Sequence, residues 1–463
     1  MNRNPLPSSD ALVFFGATGD LAYKQIFPAL QKMIERGKLN VPVVGVAKSG
    51  WNIDQFRDRV RDSLTQHGGV NEAAFAKLVG LLKYIDGDYQ DPATFEQLRK
   101  TLAGAKFPLH YLAIPPSLFG PVVEALGQSG CAHGGRVIVE KPFGRDLESA
   151  QKLNGILHSV FDETDIFRID HYLGKEAVEN LLCFRFANTF FEPIWNRNYI
   201  DSVQITMAEA FGVEGRGGFY DQVGAIRDVI QNHMLQVVAL LAMEPPTDTY
   251  SESLHDEQMK VLRMIPPLDP AHTVRGQFRG YLEERGVAAH SQTETFAAVR
   301  LEVDSWRWAG VPFLIRAGKC LQVTATEVLV KLRRPPVGKS LPGSNYFRFR
   351  VSPDLSLSLG AKIKRPGEGL ESMPVELSAV TESQGELQPY ERLLTDAMHG
   401  DAMLFVRQDA VEAAWSVVEP VLDDATPVHV YEPGTWGPGE ADGLAADTGG
   451  WHNPQVSPAS SSA

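Results

Sequence analysis

The chain opens with short, unbroken apolar runs separated by segments of helical spacing. Ala11–Phe15 (ALVFF) contains no polar residue and reads as a strand buried on both faces, and Ile26, Leu30, Met33 and Ile34 recur at helical intervals in the segment that follows. Val41–Ala47 is a second run of this kind, helical material follows from about Asp54, and Leu109–Ile114 and Arg136–Glu140 supply further strands. Strands alternating with helices predict a parallel sheet with crossover helices on both faces.

The rhythm changes after about residue 170. One helix is expected from about Asp221 to Met243. Strand patterns then follow in succession at Thr295–Val303, Thr326–Leu332, Tyr346–Val351, Leu355–Leu359 and Pro374–Val380. The stretch Leu355-Ser-Leu-Ser-Leu359 alternates strictly, which marks a sheet with one covered face. Two helices from about Tyr390 and Asp409 close the folded part. The expected architecture is an α/β Rossmann-type dinucleotide-binding domain over residues 1–170, then an α+β substrate-binding domain over 171–440 with a large, mainly antiparallel sheet. Residues 441–463, built of Gly, Ala, Asp, Pro and Ser with one Trp, are expected to form a disordered tail.

Composition narrows the function classes. With 463 residues, 43% hydrophobic and 22% charged, the chain is an ordinary globular protein of more than one domain. Its 57 acidic residues exceed its 44 basic ones, a net charge of -13 with no basic tail, which excludes a non-specific nucleic-acid binder and disfavours an anionic membrane surface. The apolar run Val237–Met243 is seven residues, against the ~20 a membrane helix needs. The N-terminus carries no signal-peptide pattern, so the chain is expected to be cytoplasmic. Cys131, Cys183 and Cys320 form no Cys-x-x-Cys pair, and no metal is expected. An anionic substrate must therefore be met by a local cluster of positive charge, against the sign of the whole.

Two segments offer such chemistry. Gly16-Ala-Thr18-Gly19-Asp20-Leu21-Ala22 joins the first strand to the first helix, where small residues let the backbone turn tightly and approach a pyrophosphate at the helix N-terminus. A tight strand-to-helix turn needs glycine for its own sake as well. The second strand ends in Lys48-Ser49 with no acidic residue, which favours the 2′-phosphate of NADP over the ribose hydroxyl of NAD, unless Lys48 is simply a solvated strand end. Pro115 ends another strand at the same sheet edge. Farther on, Arg168–Glu176 (RIDHYLGKE) packs charge into nine residues. A helix starting after Asp170 would put His171 and Lys175 on one face with the Tyr172 hydroxyl nearby, a set suited to phosphate. The structural alternative is a helix start capped by Asp170 with a solvated first turn.

RIDHYLGKE is identified as the active-site motif of the glucose-6-phosphate dehydrogenase family, and further segments resemble that family in order. They are GATGDLAYKQIFPAL at 16–30, VIVEKPFGRDL at 137–147, AIRDVIQNHMLQ at 225–236, GVPFLIRAGK at 310–319, YERLLTDAMHGDAMLF at 390–405 and YEPGTWGP at 431–438. The resemblance implies oxidation of glucose 6-phosphate at C1 to the lactone with hydride transfer to NADP, NAD being the alternative cofactor, in the oxidative pentose-phosphate pathway. It implies His233 as the base and Asp170 as its carboxylate partner. His171, Tyr172 and Lys175 become phosphate contacts, Glu209, Asp228 and Lys319 sugar contacts, and Lys141, with a cis bond to Pro142, a cofactor contact. A homodimer or homotetramer is implied too.

Three positions depart from the family pattern. Gln25 stands where lysine is common, Thr324 where lysine or arginine is common, and Lys48 where arginine is common. These departures keep two alternatives in view: a dehydrogenase of another sugar or sugar phosphate, and a catalytically silent NADP-binding regulator.

Overall fold

The computed structural model describes residues 7–248, 250–335, 344–367, 371–380 and 387–455. In chain order the strands are β1 (Ala11–Phe15), β2 (Val43–Ala47), β3 (Leu82–Asp86), β4 (Pro108–Leu112), β5 (Arg136–Glu140), β6 (Ile166–Ile169), β7 (Ile200–Ala208) and β8 (Thr273–Phe278). They continue with β9 (Phe296–Leu301), β10 (Phe313–Gly318), β11 (Ala325–Leu332), β12 (Tyr346–Ser352), β13 (Ser356–Lys364), β14 (Ser372–Val380), β15 (Phe405–Val406) and β16 (Val428–Tyr431).

The chain divides into two compact units. One comprises Met1–Lys175, Asp248–His255 and Leu387–Glu412, the other Glu176–Thr247, Asp256–Glu386 and Ala413–Ala463. In the first unit the sheet runs β15-β6-β5-β4-β1-β2-β3. Strands β1 to β6 are parallel, and β15 is added antiparallel to β6. This is the doubly wound order, in which the strand sequence reverses beside β1 and leaves a crevice at the carboxyl ends of β1 and β4. Strands β1, β2, β4 and β5 are buried along their whole length; β1 and β2 are continuously apolar, whereas β4 and β5 also bury His110, Arg136 and Glu140. The return of Leu387–Glu412 to this unit was not visible in a simple break near residue 170. Its cause is packing: helix Pro389–His399 buries Leu393, Leu394, Ala397 and Met398 in the same apolar core as Phe14, Phe27 and Phe167.

In the second unit the sheet runs β14-β13-β12-β11-β7-β10-β9-β8-β16. Among the described residues only β7–β10 and β8–β16 pair in parallel within this sheet, so it is mainly antiparallel. The expected helix over 221–243 is present in a different form. Ile226–Met234 is a π-helix, followed by a regular α-helix over Leu235–Ala242.

The expected disordered tail is corrected in part. Gly439–Thr448 forms 3-10 turns that bury Ala441, Leu444 and Ala445 against the second unit's core, and Trp451 donates its indole N–H to the Ala441 carbonyl at 2.9 Å. Low average hydrophobicity concealed a few well-placed anchors. Residues 456–463 lie outside the described residues. Among the described residues, no helix is long and apolar enough to cross a membrane.

Candidate active site

The nucleotide-type turn is built as the glycine spacing suggests. Gly16 follows β1 with φ +80°, and a Cβ there would lie 2.0 Å from the Ala113 carbonyl oxygen, so only glycine fits between the ends of β1 and β4. Its N–H donates to the Tyr89 hydroxyl at 2.8 Å, and that hydroxyl donates to the Val46 carbonyl at 3.1 Å. The backbone then turns through Thr18, Gly19, Asp20 and Leu21 into a π-helix over Ala22–Ile26, with Gly19 and Asp20 exposed. Thr18 Oγ1 lies 2.7 Å from Ser49 Oγ, tying this loop to the end of β2. Lys48 is exposed beside it, and Pro115 is exposed beyond β4. The carboxyl ends of β1, β2 and β4 thus bring Gly16, Thr18, Lys48 and Pro115 to one edge, a cradle that a dinucleotide's phosphates fit and that a Cβ at Gly16 would fill.

Acidic residues come to that edge from a strand the sequence did not reveal. Asp86 ends β3 and accepts from the Ser49 and Gly50 N–H groups at 2.9 and 2.8 Å, which holds its carboxyl below the usual range. Asp88 accepts from Lys48 Nζ at 2.7 Å. That hydrogen bond raises the lysine's pKa and lowers the aspartate's. No acid ends β2, as read, but Lys48 is not a bare charge.

At the end of β5, the Lys141–Pro142 peptide is cis. β6 pairs beside β5 in the sheet, and the turn after β6 carries the charged motif. Here the expected helix start is corrected. Asp170, 2% exposed, accepts the Tyr172 N–H on Oδ1 at 2.9 Å. Leu173 N–H then bonds the Asp170 carbonyl and Lys175 N–H the Tyr172 carbonyl. Such a side-chain-to-backbone turn competes with helix, which starts only at Glu176. The charged set survives on the turn instead. The Tyr172 ring lies 4.0 Å from Lys175 Nζ and 5.9 Å edge-on from His171.

In the second unit the sugar-side candidates cluster at strand ends and on the π-helix. Glu209 follows β7 and Lys319 follows β10, its parallel partner, and Lys319 Nζ pairs with Glu209 Oε2 at 2.5 Å. Asp228 and His233 lie on the π-helix, which packs on β10. His233 is buried at 2% exposure. In an α-helix, residues five apart point about 140° apart. The wider i→i+5 winding brings Asp228 and His233 closer to one face, and such turns recur at functional sites. Glu294 starts this helix: its carbonyl accepts the Ala225 N–H and its Oε1 the Ile226 N–H, both at 3.0 Å.

Family models match both halves of the chain. The model described as "Glucose-6-phosphate dehydrogenase, NAD binding domain" covers residues 13–180, and "Glucose-6-phosphate dehydrogenase, C-terminal domain" covers 182–452. A relative from Mycobacterium bovis, glucose-6-phosphate 1-dehydrogenase 1, is 43% identical over 96% of this chain and 97% of its own length. The chain belongs to the glucose-6-phosphate dehydrogenase family. A solved family structure from Mycobacterium avium superposes with a TM-score of 0.91 at 45% identity, covering 98% of this chain and 100% of that one. A second, described as glucose-6-phosphate dehydrogenase in complex with its substrate glucose 6-phosphate, superposes with the same score at 35% identity, over 98% and 100% of the two chains. The family is one of oxidoreductases acting on CH–OH, and its N-terminal domain binds a nicotinamide dinucleotide.

Beyond the family motifs, sequence reasoning missed Tyr89, Asp86, Asp88, Tyr220 and Glu294, because each reaches its partners across the fold rather than along the chain. Tyr220 is buried with its ring 5.3 Å from Lys319 Nζ, and burial together with the facing carboxylates of Asp228, Glu294 and Glu209 keeps its phenol neutral. The least legible feature is Glu140 at the end of β5. It is buried and accepts the Tyr111 hydroxyl at 2.5 Å. Desolvation raises its pKa to about 7, with Asp170 adding to the rise, while the hydroxyls of Tyr111 and Tyr390 and the charge of Lys141 oppose it.

This shift has a defined sign. The folded protein holds a proton on Glu140 that an unfolded chain, titrating near 4.5, has released, so stability falls as pH rises from about 4.5 through 7. Glu140→Gln keeps an acceptor for the tyrosines and removes the titration. Urea unfolding at pH 5.5 and pH 8 is expected to show a loss across that window smaller by about 2 kcal/mol in the variant. Identical pH dependence in the two proteins rules the linkage out.

Proposed function

We propose that this chain oxidises glucose 6-phosphate at C1 to 6-phosphogluconolactone in the cytoplasm, with NADP as the preferred acceptor. The observation that carries the reading is the unchanged RIDHYLGKE segment, whose turn groups His171, Tyr172 and Lys175 at the carboxyl end of the parallel sheet. Family membership along the whole chain supports it. Three unpaired cysteines fit a reducing compartment.

The roles follow the chemistry. Lactone formation removes a hydride from C1 and a proton from the C1 hydroxyl. When bound, the nicotinamide supplies the hydride acceptor. Gly16, Thr18, Gly19, Asp20 and Leu21 form the turn that would cradle its pyrophosphate, Lys48 would take the 2′-phosphate, and Pro115 and Lys141 would flank it. His233 Nε2 or Nδ1 takes the hydroxyl proton, a step suited to imidazole near neutral pH. Asp170 supplies the carboxylate that favours the protonated base. His171, Tyr172 and Lys175 hold the sugar phosphate by charge-assisted hydrogen bonds. Glu209, Asp228 and Lys319 take the ring hydroxyls. A homodimer or homotetramer belongs to the same reading.

A second reading, another sugar phosphate, draws on Gln25 and Thr324. Gln25 is exposed on the first π-helix, and Thr324 Oγ1 accepts the Ala210 N–H at 3.0 Å, bracing the residue after Glu209 rather than presenting charge.

Glucose 6-phosphate is expected to be turned over fastest in a panel with glucose, mannose 6-phosphate and galactose 6-phosphate, each assayed with NADP and NAD. Absence of turnover with glucose 6-phosphate and either cofactor refutes the assignment. His233→Asn is expected to lower kcat by about 10²-fold or more with KM for the sugar within a few fold; a comparable loss in binding would make the histidine structural. Lys48→Ala should raise KM for NADP far more than for NAD. Asp88→Asn, by releasing Lys48, should shift preference toward NADP by at most about fivefold. Equal effects on both cofactors remove Lys48 from the 2′-phosphate.

A further inference from the structure

The YEPGTWGP segment, residues 431–438, has no role in the reaction as described, yet it closes on the backbone that carries Lys319. That backbone is tightly laced. Glu209 N–H donates to the Gly318 carbonyl at 3.0 Å, Leu321 N–H to the Glu209 carbonyl at 2.9 Å, and Cys320 N–H to the Phe211 carbonyl at 2.9 Å. Cys320 has φ +50°, a left-handed conformation that non-glycine residues seldom adopt and that persists only where surroundings impose it.

The imposing contacts come from residues 431–435. The Tyr431 hydroxyl donates to the Lys319 carbonyl at 2.6 Å. Gly434 N–H donates to the Cys320 carbonyl at 2.8 Å, and Thr435 bridges to Leu321. Lys319 N–H in turn donates to the Thr295 carbonyl at 2.9 Å, so both polar groups of this residue are held. The tyrosine's single proton is committed to Lys319, which sets the direction of the remaining bonds. The Thr295 hydroxyl donates to Tyr431 Oη at 3.1 Å, and Thr295 Oγ1 accepts the Phe278 N–H at 2.9 Å. Tyr431 is 3% exposed, opposite Phe278 in the β16–β8 register, with its ring edge-on to Phe296 at 5.7 Å. A phenylalanine would fill that space equally well; what the hydroxyl adds is one directed bond to the peptide of Lys319.

We propose that Tyr431 is a positioning residue for the sugar site: through the Phe278–Thr295–Tyr431–Lys319 hydrogen-bond chain it fixes the backbone of Lys319, and with it the ammonium paired to Glu209. The proposal rests on the reading of Lys319 as a sugar contact. An ammonium on a four-carbon stem reaches a defined point only if its Cα is fixed. Phe211 and Tyr220, whose ring centres lie 5.1 and 5.3 Å from Nζ, complete the sleeve around it.

Steady-state kinetics on the full chain test this. Tyr431→Phe is expected to raise KM for glucose 6-phosphate about fivefold, the effect of one lost neutral hydrogen bond, with kcat within twofold and KM for NADP unchanged. Thr295→Val, which removes the donor to Tyr431, should move the same constant in the same direction. Lys319→Ala should raise it further, and adding Tyr431→Phe to Lys319→Ala should have no additional effect. A wild-type KM for the sugar in Tyr431→Phe beside a raised one in Lys319→Ala overturns the positioning role alone. A wild-type KM in Lys319→Ala overturns the sugar-contact reading and the proposal with it. If Tyr431→Phe does not fold, a wild-type KM in Thr295→Val overturns the proposal. Parallel losses in kcat, both KM values and Tm would make Tyr431 a core residue only.

Discussion

Within the second unit, the placement of the candidate residues Asp228 and His233 depends on one buried carboxylate, Glu294. A carboxylate 3% exposed is costly unless its oxygens are bonded, and here both are. Oε1 takes the Ile226 N–H, and Oε2 takes Arg275 at 3.2 Å from both Nε and Nη2. Arg275 is 2% exposed and completes its bonding on the carbonyls of Thr426 and Gln292. Burial still pushes the Glu294 pKa upward. The helix can start against this group only because residue 224 is glycine: φ is +69°, and a Cβ would sit 2.5 Å from Oε1. Where that helix starts decides where Asp228 and His233 stand, so the proposed base is placed by an ion pair at the start of its helix.

The same device recurs at more accessible positions, exposed at Lys48 and half-buried at Lys319. Lys48 is paired with Asp88 and Lys319 with Glu209, so candidate cations at the ends of β2 and β10 each carry an acid from the chain itself. A net charge of -13 is compatible with an anionic substrate on these terms. On the proposed roles such a lysine is held ready without a bare positive patch, and an arriving phosphate or hydroxyl would exchange one partner for another. An exposed pair of this kind is screened by solvent and weak, so that exchange is cheap at Lys48.

How much of this could be read in advance depended on where charge is buried. β1 and β5 lie over the stretches expected, because ALVFF and RVIVE are covered on both faces. β6 (IFRI), β8 (TVRGQF) and β10 (FLIRAG) were not resolved as strands, because Arg168, Arg275 and Arg316 interrupt their apolar runs while being almost wholly buried. β3 (LKYID) was missed for the opposite reason: an edge strand with Lys83 and Asp86 exposed has no continuous apolar signature. The stripe Ile226, Ile230, His233, Val237 and Leu240 is buried as α-helical spacing suggests, yet the first nine residues wind as a π-helix, which no spacing rule distinguishes. At the site, the glycine turn was legible from local chemistry, whereas the roles of His233, Glu209 and Lys319 came from family resemblance.

The C-terminal segment shows why average composition misled. Arg316 on β10 is 2% exposed, and burial draws its pKa down to about 9. Its Nε donates to Thr206 Oγ1 at 3.1 Å, and its Nη2 to the His452 carbonyl and Asn453 Oδ1 at 2.7 and 2.8 Å. The rings of Trp436 and Trp451 lie 4.6 and 4.8 Å from the guanidinium carbon. Two cation–π contacts and two charge-assisted bonds thus come from residues 436–453, which is ordering energy of several kcal/mol for a stretch with few apolar side chains. The dependence runs both ways. Without the segment Arg316 would lose those acceptors in the interior of the sheet, and without Arg316 the segment would lose four of the contacts that hold it there, beside the burial of Ala441, Leu444 and Ala445. A buried cation three residues before Lys319 therefore orders a chain end that hydropathy alone assigns to solvent.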